Sequence, residues 1–263
     1  MSHSLVFAVA AWLAAATPVL AQEPVQAPAA IRQFDLRTIE RLGRGIHRQD
    51  VAAARATDAL LKVAPDPAKE GIVGWLVAEM GDSDRVRFLR NTEAGPEVAY
   101  DVDVPPRGAP LVSSPSSRAL SAEERAAFAA QQTAARNVPR VCRPRYNAAV
   151  LKDPAGDGWL VWLLAPSPAA GLVPVGGHFR FSITADGKTV KRRDALSTSC
   201  LVLSPGQGVP KGAKPVGMVV SHVVSPTPVE THVFLQLLHR VPMYVAAGDA
   251  NWKIEQGRIG RMK

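Results

Sequence analysis

The segment at residues 72–104, IVGWLVAEMGDSDRVRFLRNTEAGPEVAYDVDV, carries three short runs that contain β-branched and aromatic residues. The runs are residues 72–78, 85–90 and 98–104, and the turn-forming sequences GDSD and EAGP lie between them. Strand-forming runs separated by short turns are typical of a β-meander. Arginine alternates with apolar residues in the middle run, so we expect one face of the sheet to be solvated.

Two helices are predicted ahead of this sheet. Residues 34–46 place apolar side chains mostly three and four positions apart, interrupted by Gly43 and Gly45, and residues 49–63 form a second apolar stripe. The two segments predict an αα-hairpin. We expect Leu60 of the second helix to pack on the predicted sheet.

The chain beyond the meander predicts one more helix and then strands almost throughout. Residues 105–117 are a loop, and the sequence Ser-Ala-Glu-Glu from Ser121 is a capping box that opens a helix to about residue 136. An Asp186-Gly187 pair predicts a hairpin turn. The predicted strands are 146–152, 159–165, 178–185, 189–192, 196–203, 216–224, 229–238, and a weak terminal pair around Tyr244 and residues 252–254. The expected fold is α+β, with the helical hairpin and the further helix packed on an antiparallel sheet system and a β-rich C-terminal half.

The first residues predict export and set the expected domain limits. Residues 1–21 combine an apolar core, a helix-breaking Pro18 and the short sequence Val-Leu-Ala that a signal peptidase accepts, although they contain no Lys or Arg. Residues 22–30 are a Pro/Ala linker. We expect residues 31–263 to form a single domain, with a subdivision near 105–140 as the alternative.

The charge of the chain argues against nucleic acid as a partner. The formal net charge is +8, but aromatic residues make up only 6% of the sequence. Nucleic-acid binding usually combines a basic face with interleaved aromatic residues. The arginines are spread along the chain, and the densest basic run is residues 188–193. We expect these arginine side chains to be solvated, and the alternative is a weak attraction to anionic envelope surfaces.

Common catalytic and nucleotide-binding motifs are absent from the sequence. It contains no G-x-S-x-G, S-x-x-K, H-E-x-x-H, G-x-x-x-x-G-K or C-x-x-C. The glycines at positions 206, 208 and 212 lie in a proline-containing sequence and predict a surface loop. These absences favour a non-catalytic role.

A group of histidines in the β-rich half is the exception that could carry chemistry. On a strand over residues 229–238, Glu230 and His232 point the same way, and with His178 and His222 they could form a mixed nitrogen and oxygen zinc site. Glu230 could instead act as a general base. A four-residue turn at 225–228 would place His222 on the opposite face, which argues against this site.

Cys142 and Cys200 are the only cysteines. In an oxidising compartment two cysteines are expected to pair, so the sequence predicts a structural disulfide between them.

Three segments carry a resemblance to other proteins: residues 176–181 (GGHFRF), 199–202 (SCLV) and 230–234 (ETHVF). In these segments the chain resembles a group of secreted proteobacterial proteins with no assigned activity. The resemblance covers most of the mature chain and implies an exported location. No catalytic residue follows from it.

Three functions remain open from the sequence. The first is an exported, non-catalytic module that binds an envelope protein or polymer. The second is a metal-assisted or carboxylate-based hydrolase of an envelope polymer, using His178, Glu230 and His232. The third is an assembly factor whose exposed strand edge pairs with another chain.

Overall fold

The computed structural model describes residues 30–205, 210, 212 and 216–263. The predicted signal peptide at 1–21 and residues 22–29 of the predicted linker lie outside the described residues, as does most of the predicted glycine-rich loop. The fold is α+β, as the sequence predicts. None of the helices in the described part of the chain combines the length and the hydropathy that a membrane span needs.

Three helices are found in the described residues: α1 (Leu36–Val63), α2 (Ala122–Asn137) and α3 (Glu230–His239). The strands are β1 (Ile72–Met80), β2 (Ser83–Thr92), β3 (Gly95–Val104), β4 (Leu111–Ser113), β5 (Asn147–Lys152), β6 (Trp159–Leu164), β7 (Val173–Pro174), β8 (Phe179–Ile183), β9 (Val190–Ala195), β10 (Val202–Leu203), β11 (Met218–His222), β12 (Met243–Ala247), β13 (Ala250–Glu255) and β14 (Arg258–Arg261).

The predicted meander is confirmed. Strands β1 to β4 form an antiparallel sheet in chain order, which we call the meander sheet. Arg85 pairs with Asp103 and Arg87 pairs with Asp101 across β2 and β3, so this face carries a ladder of ion pairs. The first pair is partly solvated as predicted, whereas the side chains of Arg87 and Asp101 are only 13% and 4% exposed beside Glu124 of α2.

A second antiparallel sheet, the central sheet, has the order β5-β6-β8-β9. The predicted turn at Asp186-Gly187 joins β8 and β9. All six residues of β6 are buried because the central sheet is covered on both faces. Trp159 packs in the core on one face and Trp162 in the core on the other.

The C-terminal sheet has the order β11-β12-β13-β14. Two of the predicted strands are wrong. The segment at 229–238, predicted as a strand, is the helix α3, and it provides the crossover that allows β11 and β12 to pair in parallel. Residues 230–236 of α3 are all buried, so the helix has no polar face that would show its period. The predicted strand at 196–203 is also wrong over most of its length, since only the two residues of β10 extend within it.

The predicted αα-hairpin is wrong: α1 is one continuous helix. Gly43 and Gly45 do not break it but allow close packing. A Cβ at position 43 would lie 2.5 Å from Cβ of Val233, and a Cβ at position 45 would lie 2.8 Å from Cδ1 of Leu151. Contacts with α3 and β5 therefore offset the helix penalty of about 1 kcal/mol that each glycine carries.

Three apolar clusters hold the layers together. One contains Phe128 of α2 and lies between the meander sheet and the central sheet. The second contains Leu60 of α1 and Phe88 of β2, as predicted, although the neighbouring Leu61 is 41% exposed. The third joins the first half of α1 to the central sheet, α3 and the C-terminal sheet.

The predicted capping box and disulfide are both confirmed. Ser121 accepts from the amide of Glu124, whose side chain accepts from the amide of Ser121. Cys142 and Cys200 are bonded, with Cα atoms 5.4 Å apart. The bond joins the segment between α2 and β5 to the segment before β10.

Candidate functional site

His178, a predicted metal ligand, has both ring nitrogens engaged. The amide of Ala165 donates to its Nδ1 at 3.0 Å, and its Nε2 lies 2.7 Å from the carbonyl oxygen of Pro174. Because Nδ1 accepts, Nε2 carries the proton and donates. Burial lowers the pKa of His178 to about 4. The arrangement is that of a neutral core histidine.

His222 and His232 lie against each other, next to residues 196–199. Their ring centroids are 4.7 Å apart at an interplanar angle of 86°. The amide of Val229 donates to Nδ1 of His232 at 3.1 Å, and Nε2 of His222 lies 2.7 Å from Oγ of Ser225. Burial lowers the pKa of His222 to about 4. Burial, with smaller effects of the two other histidines, lowers the pKa of His232 well below its ordinary value.

Glu230, the predicted general base, is the buried counter-charge of Arg180. Its Oε1 accepts from Nη1 of Arg180, whose Nη2 donates to Oδ2 of Asp194 at 2.7 Å. The three side chains are 0%, 1% and 2% exposed. Oε1 of Glu230 is therefore committed to a structural ion pair, whereas Oε2 has no partner among the described residues. The side chain is fully buried and has no open path to a substrate.

The prediction that Glu230 and His232 share a strand face is wrong because their segment is helical. Residues two apart on a helix point about 200° apart around its axis. The structure brings His222 and His232 together but directs Glu230 to Arg180. Within the described ranges, no group of three or more His, Cys, Asp or Glu side chains is placed to hold a metal ion. The zinc site stays a prediction, and the hydrogen bonds of His178 and His232 do not support it.

A more open candidate site lies between the meander sheet, α2 and the central sheet. It is a cleft of about 330 Å³, which is within the usual size range of ligand sites. We call it the basic cleft and define it by the six lining residues used below: Trp75, Gln131, Arg140, Arg145, Tyr146 and Ala148.

Two unpaired arginines give the basic cleft its charge. Arg140 and Arg145 are exposed, and no ion pair among the described residues includes either of them. No Asp or Glu lines the cleft. Arg87, by contrast, is neutralised by Asp101 and Glu124. The basic cleft is thus a local concentration of uncompensated positive charge.

Gln131 supplies a buried polar atom with an unmet hydrogen bond. Its residue is 6% exposed, and its Oε1 finds no partner among the described residues. Gly74 leaves room beside this atom, since a Cβ there would lie 3.5 Å from Oε1. Buried acceptors are nearly always bonded, so this oxygen is an exception in the wall of the basic cleft.

Comparisons of the chain with protein-family models, with curated proteins and with solved structures find no match. Nothing matches. Function is therefore inferred from geometry and chemistry.

Sequence reasoning missed the basic cleft because its residues come from distant parts of the chain. The local signal is the sequence at 138–146, VPRVCRPRY, which has three arginines and no acidic residue around a disulfide cysteine. The run at 188–193 is denser in basic residues and makes this signal less conspicuous.

Strand β11 is an apolar candidate for the exposed strand edge expected of an assembly factor. Among the described strands it pairs with β12 alone. Val219 on this strand is 72% exposed, and Val223 just after it is 67% exposed.

Proposed function

We propose that the protein is an exported, non-catalytic binding module of the cell envelope that takes an anionic partner in the basic cleft. The observation that carries the proposal is the pair Arg140 and Arg145, which line a concave site without any carboxylate to neutralise them. Electrostatic complementarity with an acidic partner would use this charge for both encounter and specificity.

Three further features support the proposal. The disulfide fits an oxidising compartment. The predicted signal peptide at 1–21 accounts for how the chain would reach it. The side chains proposed for hydrolysis, His178, Glu230 and His232, are buried and committed to internal contacts, which favours binding over catalysis.

The test measures binding of anionic probes to residues 22–263, the expected mature chain. Dextran sulfate and a fluorescent peptide of alternating Glu and Val serve as a polysaccharide probe and a polypeptide probe. Arg140→Gln with Arg145→Gln is expected to weaken binding of at least one probe by about tenfold or more, since each lost charged hydrogen bond contributes about 1.5 to 3 kcal/mol. Binding should also weaken as salt is raised.

The matched control removes the same charge elsewhere. Arg37→Gln with Arg107→Gln replaces two exposed arginines that do not line the basic cleft. If both double variants lose the same affinity, the net charge rather than the basic cleft binds anions and the proposal is wrong. An absence of binding to either probe would also contradict it.

A further inference from the structure

Strand β5 forms one wall of the basic cleft and is an edge strand, because it pairs with β6 alone among the described strands. Its outer edge is covered at one residue by a side chain. Gln49 of α1 donates its Nε2–H to the carbonyl oxygen of Val150 at 2.7 Å, and its Oε1 accepts from the amide of Val150 at 2.8 Å. The side-chain amide of Gln49 thus takes the place that a neighbouring strand would occupy.

This pair fixes the direction of the backbone groups along β5. Both groups of Val150 point away from β6, and in an antiparallel ladder the direction alternates from one residue to the next. The N–H and C=O of Ala148, two residues earlier, therefore also point away from β6. Ala148 lines the basic cleft, and Gln49 caps Val150 rather than Ala148. The cleft contains an unpaired strand edge.

The groups around this edge match an extended acidic polypeptide. Arg140 and Arg145 would receive its carboxylates, and Trp75 offers an apolar surface to the side chains on its other face. A polysaccharide would use the arginines but has no backbone amides to pair with a strand.

We propose that an acidic, extended polypeptide segment of an envelope protein binds the basic cleft by adding a strand to β5 at Ala148. The inference rests on the proposed function and names the class of its partner. Main-chain hydrogen bonds to Ala148 would supply part of the affinity, and the arginines would select acidic side chains.

The experiment separates backbone pairing from charge. Ala148→Pro removes the outward N–H, a change that edge strands tolerate because that N–H makes no bond to the sheet. Ala148→Ser keeps the N–H and serves as the matched control. Relative to Ala148→Ser, Ala148→Pro should bind the Glu-Val peptide at least about tenfold more weakly, and its ratio of peptide affinity to dextran sulfate affinity should fall by a similar factor.

A second measurement applies if Ala148→Pro fails to fold. The wild-type chain is titrated with Glu-Val peptides N-methylated at alternate residues, in both phases of the alternation, which keeps every charge but removes donors from one edge. One of the two methylated peptides should bind at least about tenfold more weakly than the parent.

The outcomes distinguish the two proposals. If the arginine variant loses peptide binding while Ala148→Pro and both methylated peptides bind like their parents, the basic cleft binds anions without strand addition, and only this inference fails. If the arginine variant loses dextran sulfate alone and the peptide never binds, the partner is a polysaccharide and the inference is wrong. If neither probe depends on the arginines, the proposed function fails as well.

Discussion

The imidazole rings of His222 and His232 pack edge to face, 4.7 Å between centroids, in the interior of the protein. Neither ring can take up a proton there without placing a positive charge next to another histidine in a desolvated site. His178 is buried as well, so the folded protein holds three histidines whose neutral form is favoured by burial.

Acid should therefore destabilise the protein. The pKa of His178 and of His222 falls from 6.5 in the unfolded chain to about 4 in the folded protein. Between these values the unfolded chain binds more protons, so the free energy of unfolding decreases as pH falls from about 6.5 to 4. Each of the two should contribute a loss of roughly 3 kcal/mol over that window. Urea unfolding at a series of pH values measures it.

His222→Gln tests the assignment of that acid sensitivity. Glutamine can still donate to Ser225 but does not titrate, so the dependence of stability on pH should decrease by about 1.4 kcal/mol per pH unit within the window. A variant that retains the full wild-type slope would show that other groups carry the acid sensitivity.

Glu230→Gln should be among the more destabilising polar substitutions. It leaves the guanidinium of Arg180, 1% exposed, with one of its two buried counter-charges missing. Breaking a buried ion pair by removing one partner typically costs about 3 to 5 kcal/mol. Chemical denaturation of the variant measures the loss.

The exposed pair between Arg85 and Asp103 provides the comparison. Asp103 is 43% exposed, and Asp103→Asn should cost no more than about 1 kcal/mol. Equal losses for Glu230→Gln and Asp103→Asn would mean that burial does not set the energetics of the Arg180 cluster.

Local patterns were sufficient where a segment's own residues determine its structure. The meander follows from three strand-forming runs with turns between them, and the start of α2 follows from the S-A-E-E sequence at Ser121. The helix α3 could not be identified this way, because burial on every side removes the polar stripe that separates a helix from a strand.

The candidate site depended on tertiary contacts that no local pattern contains. Trp75 lies far from Gln131 and Arg140 in the chain and meets them only because α2 packs between two sheets. The sequence identifies the histidines as a group but not the backbone groups that occupy them. The hydrogen bonds of His178 come from Ala165, just after β6, and from Pro174 at the end of β7.

Gly43→Ala should destabilise the protein although alanine is the better helix former. The new Cβ would lie 2.5 Å from Cβ of Val233 and 2.8 Å from the carbonyl oxygen of Glu230, closer than such atoms can approach. Overpacking of this kind costs about 1 to 3 kcal/mol. At an open helix position the same change would stabilise by about 1 kcal/mol.

A double-mutant cycle with Val233→Gly checks the cause. Glycine removes both the Cβ and the Cγ1 that the new Cβ would meet, so Gly43→Ala with Val233→Gly should cost less than the sum of the two single changes. Additive losses would indicate that Gly43 is required for a reason other than its contact with α3.

The disulfide should stabilise both the fold and the basic cleft. Thiol titration of the denatured, unreduced chain should find no free sulfhydryl, because Cys142 and Cys200 are bonded. Cys142→Ser with Cys200→Ser opens a closed loop with a sequence separation of 58 residues. The chain-entropy model then gives a loss of roughly 4 kcal/mol in the free energy of unfolding, an upper value because native strain subtracts from it.

The double variant Cys142→Ser with Cys200→Ser should also bind the Glu-Val peptide less tightly, under conditions where it remains folded. Cys142 lies between Arg140 and Arg145 in the chain, and its bond to Cys200 anchors the segment that carries both arginines. Without that anchor, the arginines must be ordered when the partner binds, which costs about 0.5 to 1.5 kcal/mol for each immobilised side chain and corresponds to roughly a fivefold to hundredfold loss of affinity for the two together. Salt dependence should persist, because both charges remain. Affinity equal to that of the bonded form would mean that packing alone holds the segment in place and that the disulfide acts on stability only.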